Sequence, residues 1–397
     1  MKRTGILFLA LSLLTLTACR VGKMNGDANF DSERGFIHML RETCATEDAF
    51  YYGDGHLIYY VDRNTGISMP LCGKPECEHN NDTCNAYYPG ALYNICNYNG
   101  RLYIIRSGVK IYSCNYDGTN RQEVMTLSRD LIPICGLYGH FQLHRGYLYY
   151  SGVGETVENG EAKYIYQICT FPLDSDGEGF MIFEGDAGSS LSTPVMQPYG
   201  DELYILLSTY DANGGAQHGF AVKRWDTQAK ELEDLYESDN VLFNYVVDMW
   251  VMGEGIVFQG FTDEEMETGV YKFDFESREV EKLFVAAPAS TGIYARVGIG
   301  NHVVVGHTNT DENGAFYILI KDFEGNALVE DAYTLDLPTN RYILYFLGSD
   351  GTGAYFQATG SLQDQDGNTY ANYISIIAIP LDGSGAYVLS NMIIERI

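Results

Sequence analysis

The sequence predicts an all-β chain folded as a β-propeller of seven four-stranded blades, with six or eight blades open only through one irregular segment near the start. Three observations carry this expectation. Short apolar–polar alternating stretches recur along the chain, and alternation with period two is the signature of a strand. They recur in pairs joined by Gly, Asn and Asp turn residues, at a spacing of roughly 45 to 54 residues, which suits four antiparallel strands plus loops. No stretch of comparable length has a helical period.

The clearest part of each repeat is its second hairpin. These read IYYVDRNTGISMPL (58–71), IYSCNYDGTNRQEV (111–124) and IYQICTFPLDSDGEGFMIF (165–183). They continue with AVKRWDTQAKELEDLY (221–236), VYKFDFESREVEKLF (270–284), YILIKDFEGNALVEDAY (317–333) and ISIIAIPLDGSGAYVL (374–389). Turns carrying Asn-Thr-Gly, Asp-Gly, Asp-Thr or Glu-Gly supply residues that tolerate the backbone angles hairpins need. Ahead of each lies a first strand pair, as in NYNGRLYII (97–105), HRGYLYYSG (144–152), YGDELYILL (199–207) and MGEGIVFQG (252–260). The first segment, Gly35 to Leu71, is the least regular, and FIHML (36–40) is its expected innermost strand. The repeats resemble those of bacterial surface-lipoprotein propellers similar to the low-density lipoprotein receptor-related protein domain, and more loosely the TolB-like group. That resemblance implies the fold and an extracytoplasmic setting, and carries no activity with it.

The N-terminus reads as an export signal over residues 1–18. Lys2 and Arg3 form its positive start, and Gly5 to Leu16 an apolar run shorter than the roughly 20 residues that span a bilayer. It ends in Leu16-Thr17-Ala18-Cys19, which resembles the lipobox of bacterial lipoproteins. The resemblance implies cleavage before Cys19 and acylation of its thiol with palmitate-type chains, anchoring the protein to the outer face of a membrane. Two acyl chains hold a protein stably where one is marginal. Residues 19–33 then form the lipidated cysteine and a polar tether, and 34–397 the propeller. The formal charge of −28 argues against nucleic acid as a partner, because phosphates would be repelled.

In a propeller the strands of a blade run a to d from the axis outward. The a–b and c–d turns fall at one end, and the b–c loops and blade-to-blade connections at the other. Here the b–c loops are long and acidic: residues 154–163, 209–219, 262–269, 307–315 and 359–372. Long loops on a rigid scaffold are where recognition concentrates. This face, ringed by carboxylates, is the expected binding surface, and His218 and His307 fall within it. Asp364, Asp366 and Asn368 form the oxygen-rich start of a calcium loop, as does Asp174-Ser175-Asp176-Gly177, but neither continues to a distal bidentate Glu.

The most unusual local feature is Cys72-Gly-Lys-Pro-Glu-Cys77-Glu-His79-Asn-Asn-Asp-Thr-Cys84, in an insertion at 72–91 between the first and second blades. Three thiols and an imidazole, with Gly73 and Pro75 to bend the chain, can enclose a tetrahedral zinc ion. The spacing matches no established zinc motif, although a similar run marks uncharacterised lipoproteins of anaerobic Firmicutes. Outside the cytoplasm the usual fate of cysteine is a disulfide. With Cys19 lipidated, eight remain, at 44, 72, 77, 84, 96, 114, 135 and 169, and an even number permits full pairing. Disulfide, structural metal and free thiols all stay open, while Cys114 and Cys169 read as buried apolar residues within c strands.

Catalytic patterns are lacking in the sequence: no Gly-x-Ser-x-Gly, no His-Glu-x-x-His and no Gly-x4-Gly-Lys. His140 and His144 stand roughly 13 Å apart in an extended strand and cannot share an ion. Trp225 and Trp250 fall in strand patterns, and most of the 32 tyrosines read as packing between blades. Two functional classes follow. One is a non-catalytic, membrane-anchored binding or scaffold protein presenting its acidic face to an extracellular glycan or protein. The other is a propeller enzyme acting on extracellular glycans or peptides.

Overall fold

A computed structural model describes residues 43–395, apart from 55, 91, 107–109, 129–130, 132–138, 159–160, 189–193, 211–216, 239–244, 263–266, 288–295, 309, 340 and 364–368. The expected signal, Cys19, the tether, FIHML, Cys135 and the Asp364, Asp366 and Asn368 loop all lie outside the described residues. Within them the chain is all-β, in seven four-stranded antiparallel sheets. Blade I comprises β1 (Thr43–Ala45), β2 (Ala49–Asp54), β3 (Leu57–Asp62) and β4 (Ser68–Pro70). Blade II comprises β5 (Leu92–Tyr98) to β8 (Gln122–Thr126), with β6 (Arg101–Arg106) and β7 (Lys110–Cys114) between. Blade III runs from β9 (His140–His144) through β10 (Tyr147–Glu158) and β11 (Glu161–Pro172) to β12 (Phe180–Gly188). Blade IV holds β13 (Val195–Tyr199), β14 (Glu202–Tyr210), β15 (Gln217–Asp226) and β16 (Glu231–Ser238). Blade V holds β17 (Tyr245–Val251), β18 (Gly255–Thr262), β19 (Glu267–Asp274) and β20 (Val280–Ala287). Blade VI holds β21 (Arg296–Gly300), β22 (Val303–His307), β23 (Ala315–Asp322) and β24 (Ala327–Thr334). Blade VII holds β25 (Ile343–Ser349), β26 (Gly353–Gln363), β27 (Thr369–Pro380) and β28 (Tyr387–Glu395). All seven hairpins expected from the sequence are the c–d pairs.

The b strands are continuous apolar runs because both of their faces are buried, each against a different neighbour. Ile104 packs into the seam between blades I and II and Ile105 into that between II and III. Ile205 and Leu206 divide in the same way between III/IV and IV/V, and Val304 and Val305 between V/VI and VI/VII. Tyr51 and Tyr52 divide between I/II and VII/I. Each of the seven seams thus has its own apolar cluster, including the one that joins the last blade to the first, and the ring is closed.

The c–d turns lock these seams from outside. A Cβ on Gly66, in the blade I turn at φ +71°, would stand 2.0 Å from Leu389 O on the outer strand of blade VII. Gly118 approaches Leu71 O, just past the outer strand of blade I, and Gly177 approaches Thr126 O on that of blade II, both also at positive φ. Only glycine allows so close a backbone approach in that conformation. The Asp174–Gly177 run is therefore a seam-locking turn. An aspartate ends many c strands and caps the turn that follows: Asp62, Asp226 and Asp274 each accept two backbone N–H groups through Oδ1.

The closing seam carries a further device. Arg63, in the blade I turn, pairs with Asp350 of blade VII, and its guanidinium lies 4.7 Å from the Tyr355 ring centroid and 5.3 Å from that of Phe50. Among the described residues no strand is exchanged between the first and last blades, and this seam is held by side-chain packing and by the close approach of Gly66 to Leu389 O.

Candidate metal centre and the loop face

The connection from β4 to β5 folds into two tight turns, each delivering a cysteine. Lys74-Pro75-Glu76-Cys77 closes through Cys77 N–H to Lys74 O at 3.2 Å, with proline at the second position, where its fixed φ suits a turn. Asn81-Asp82-Thr83-Cys84 closes through Cys84 N–H to Asn81 O at 3.0 Å, and Asn81 Oδ1 also accepts Thr83 N–H. Between them His79 sits in the left-handed region at φ +54°, a costly conformation for a non-glycine residue that turns the chain back on itself. The segment then pairs with blade I through Ile58 N–H to Ala86 O and Tyr88 N–H to His56 O.

These turns gather Cys72, Cys77, His79 and Cys84 so that one donor atom from each lies within 4.8 Å of all the others. His79 Nδ1 is 3.2 Å from Cys84 Sγ. Zinc–sulfur bonds of about 2.3 Å in a tetrahedron put sulfurs about 3.7 Å apart, so donor atoms all within 4.8 Å of one another need move little to enclose an ion. Cys84 is buried and the other three are partly exposed. Burial works to raise the Cys72 thiol, but the Lys74 and Asn85 backbone N–H groups and the neighbouring thiols outweigh it and hold it below its usual range. Burial pushes the Cys84 thiol up to about 11, with Ala86 N–H acting against it. Backbone N–H groups aimed at sulfur are what steady a thiolate ligand. The four residues can hold a metal ion, and their number would fill a tetrahedral shell.

The insertion returns to the b–c turn of blade I at its end, through Tyr88 N–H to His56 O, but its second turn is drawn outward. The second turn rests against the outer part of blade II: Gly118 of the β7–β8 turn faces Leu71 O and Asn85, and Arg121 reaches Asp82, Cys84 and Tyr87. The physical reason is the apolar seam beneath. Leu71, Cys84, Ala86 and Tyr88 join the blade I/II cluster, which draws the segment sideways over the rim.

The seven described cysteines are all unpaired. Cys114 and Cys169 are fully buried in c strands, and burial pushes the Cys169 thiol up to about 12. Cys44 and Cys96, on the innermost strands of blades I and II, are likewise raised by burial. Such thiols behave as small apolar residues.

His307 is not open on the loop face. It is the last residue of β22, 2% exposed, with its ring edge-on to Phe356 at 5.4 Å, inside the blade VI/VII seam. His218 belongs to β15, where the ladder passes from Thr209–Gly219 to Tyr210–Gln217 and skips it in a bulge. His144 is buried with Nε2 2.7 Å from Gly200 O. Trp225 and Trp250 are both buried.

Parts of the segments read as b–c loops are strand, most clearly in blades III and VII. β10 pairs with β9 only over Tyr147–Ser151 but with β11 as far as Glu158, opposite Glu161. β26 passes its last partner on β25 at Thr359 and pairs with β27 to Gln363. β14 likewise outruns β13 beyond Leu206 to Tyr210. Blades III, IV and VII therefore extend hydrogen-bonded arms beyond their inner strands, and Val157 near the tip of the first is 70% exposed.

One buried acid had no sequence motif to mark it. Asp248, on the innermost strand of blade V, accepts Met249 N–H at 2.9 Å and, across the seam, Ile299 N–H at 2.8 Å. Burial pushes its carboxyl up to about 7 against the pull of these two donors.

The fold defines the chain as a seven-bladed β-propeller. Comparison with solved structures agrees: a prolyl endopeptidase structure superposes with a TM-score of 0.51 at 9% identity, over 98% of this chain and 54% of that one. The acylaminoacyl peptidase of Pyrococcus horikoshii gives 0.49 at 11% identity, over 90% and 54%. The oligogalacturonate lyase of Vibrio parahaemolyticus gives 0.46 at 10% identity, over 82% and 88%. This chain spans about half the length of the two peptidases. No family description matches the sequence, and no curated protein does. No helix among the described residues is long and apolar enough to cross a membrane.

Proposed function

We propose that the protein is a lipid-anchored, extracytoplasmic binding propeller. On this reading it is tethered through Cys19, presents the b–c arms to a glycan or protein partner, and carries a structural zinc ion at Cys72, Cys77, His79 and Cys84. The observation that carries the reading is the unequal use of the two ends of the blades. The c–d turns are spent on locking seams, whereas the arms of blades III, IV and VII run past the inner strands and hold their shape by their own ladders. Paired arms lose little entropy on binding, which favours recognition. Four protein ligands leave a tetrahedral zinc no open position, which favours a structural over a catalytic ion.

Two measurements test this. Replacing residues 154–163 by a two-residue Asn-Gly turn is expected to abolish binding on a glycan and peptide array while leaving thermal stability nearly unchanged. Unaltered binding by the shortened chain would sink the arm as the recognition element. Cys19→Ser is expected to move the protein from the membrane fraction to the soluble fraction of the producing cell, and retention at the membrane would remove the lipid anchor.

A further inference from the structure

The metal loop is gripped from the neighbouring blade by one side chain. Arg121 immediately precedes the outer strand of blade II. Its Nη1 donates to Tyr87 O at 2.5 Å and Cys84 O at 3.2 Å, and its Nη2 donates to Asp82 O at 2.7 Å. The three carbonyls flank and include the last of the four ligand residues. Its guanidinium also lies 5.1 Å from the Tyr88 ring, a buried residue of the same apolar seam. Only arginine offers a planar fork that can meet several carbonyls at fixed angles, and lysine in its place would keep the charge but not the fork. On the other side Lys74 Nζ donates to Thr83 O. A zinc ion with three thiolates and one neutral imidazole carries a net charge of −1, so both cations also sit where that charge would be offset.

We infer that Arg121 is a positioning residue for the metal centre, and that metal occupancy and closure of the blade I/II seam are one coupled equilibrium. The inference rests on the zinc reading above. With the metal bound, Cys84 is fixed on the ligand side and its carbonyl presents a fixed target to Arg121. Without the metal, the turns 74–77 and 81–84 keep the Lys74–Thr83 bond but lose the shared ion that fixes Cys84, and the fork's acceptors are held less firmly. Linkage requires the reverse to hold equally: whatever loosens the Arg121 grip must weaken metal binding by the same factor. Outer-shell partners of metal ligands typically govern affinity by 10–100-fold.

The test uses the intact chain in detergent, reduced and loaded with one equivalent of zinc. Zinc affinity is measured by competition with a chromophoric chelator, and amide hydrogen exchange is followed over residues 110–126. Arg121→Ala is expected to bind zinc roughly 10–100-fold more weakly, with Arg121→Lys between it and the parent. Removing zinc from the parent is expected to speed exchange in the β7–β8 turn and β8, while β15 and β16, on the far side of the ring, stay unchanged. If the parent binds no zinc, the zinc reading fails. If it binds zinc but Arg121→Ala binds it equally well, or exchange in β8 ignores the metal, the coupling fails and the zinc reading stands. Should Arg121→Ala not fold, the Arg121→Lys affinity and the parent's exchange pattern decide the matter.

Discussion

Arg63→Ala is expected to destabilise the protein by about 3 kcal/mol, because it removes one partner of a largely buried ion pair at the seam between the first and last blades. Arg63 and Asp350 have side-chain exposures of 11% and 24%. The arginine also donates to Thr46 O and Glu47 O, both at 3.1 Å, and stacks on Tyr355 and Phe50. Truncation loses the stacking and leaves these acceptors and the carboxylate to find water. Asp350 is held at about 2: burial would raise it, but Thr352, Tyr355 and Gly353 donate to it and pull it down. A carboxyl depressed in the folded state contributes stability that is fully present above its unfolded value near 4 and is lost as the pH falls toward 2. Urea unfolding of the parent, Arg63→Ala, Asp350→Asn and the double variant at pH 7 supplies the coupling between the two residues. Exposed Arg341→Ala serves as the control. A loss at Arg63 no larger than at Arg341 would show that the apolar cluster alone closes the ring.

Asp248→Asn should alter how stability depends on pH more than it alters stability at any one pH. The carboxyl is raised from 3.8 to about 7 by burial. A raised carboxyl means that the folded protein keeps a proton the unfolded chain releases. Its contribution therefore falls as the pH climbs from about 4 to about 7 and is level above that. The full span is on the order of 4 kcal/mol. An amide cannot ionise, so the variant lacks this fall. It also turns an NH2 group toward Met249 N–H or Ile299 N–H, a pH-independent cost of about 1–3 kcal/mol. The variant should thus be weaker than the parent at pH 5 and draw level or pass it by pH 8. The measurement is the difference in unfolding free energy between the two chains at pH 5, 6, 7 and 8, which cancels the shared effect of the −28 net charge. A constant difference would mean that Asp248 is not protonated in the folded protein near neutrality.

The architecture was largely legible because a propeller writes itself in local signals. Each hairpin has its alternation and its Gly or Asp turn within a few residues, and the repeat declares the number of blades. The four candidate metal ligands were legible for the same reason, lying within a single short run. What spacing could not tell was where that run would rest. The pull of Leu71, Cys84, Ala86 and Tyr88 into the seam is a property of the assembled ring. Arg121 lies 37 positions from Cys84, and Arg63 lies 287 from Asp350, so neither pairing has a sequence signature. His307 was read as a loop residue because the HTNTDENG run looks like a turn, yet the strand extends to include it. The b–c connections of blades III and VII looked irregular because their Gly, Asn and Thr content hides a ladder that only the register reveals. Asp248 did leave a trace, as the one charged residue in the strand YVVDMWV, and an acid inside such a run is a signal that it is bonded by backbone.

The seam between blades VII and I has a consequence for the order in which the protein can be made. Tyr52 on blade I donates to Met392 on blade VII, 340 positions later. Blade I is synthesised first, and Gly66 then waits for Leu389, almost the last strand to emerge. Until then Phe50, Tyr52 and Val61 have no partner surface, since the cluster they belong to is completed by Leu347, Ile374 and Ile376. Six seams can form as neighbours arrive, but the seventh forms only at the end, across the longest loop in the molecule. Closure of that loop is an entropic step that depends on chain length rather than on local propensity. Before the last blade is made, both this flank of blade I and the leading face of the newest blade lack their partners, so an incomplete ring would offer a chaperone apolar surface that the closed ring does not.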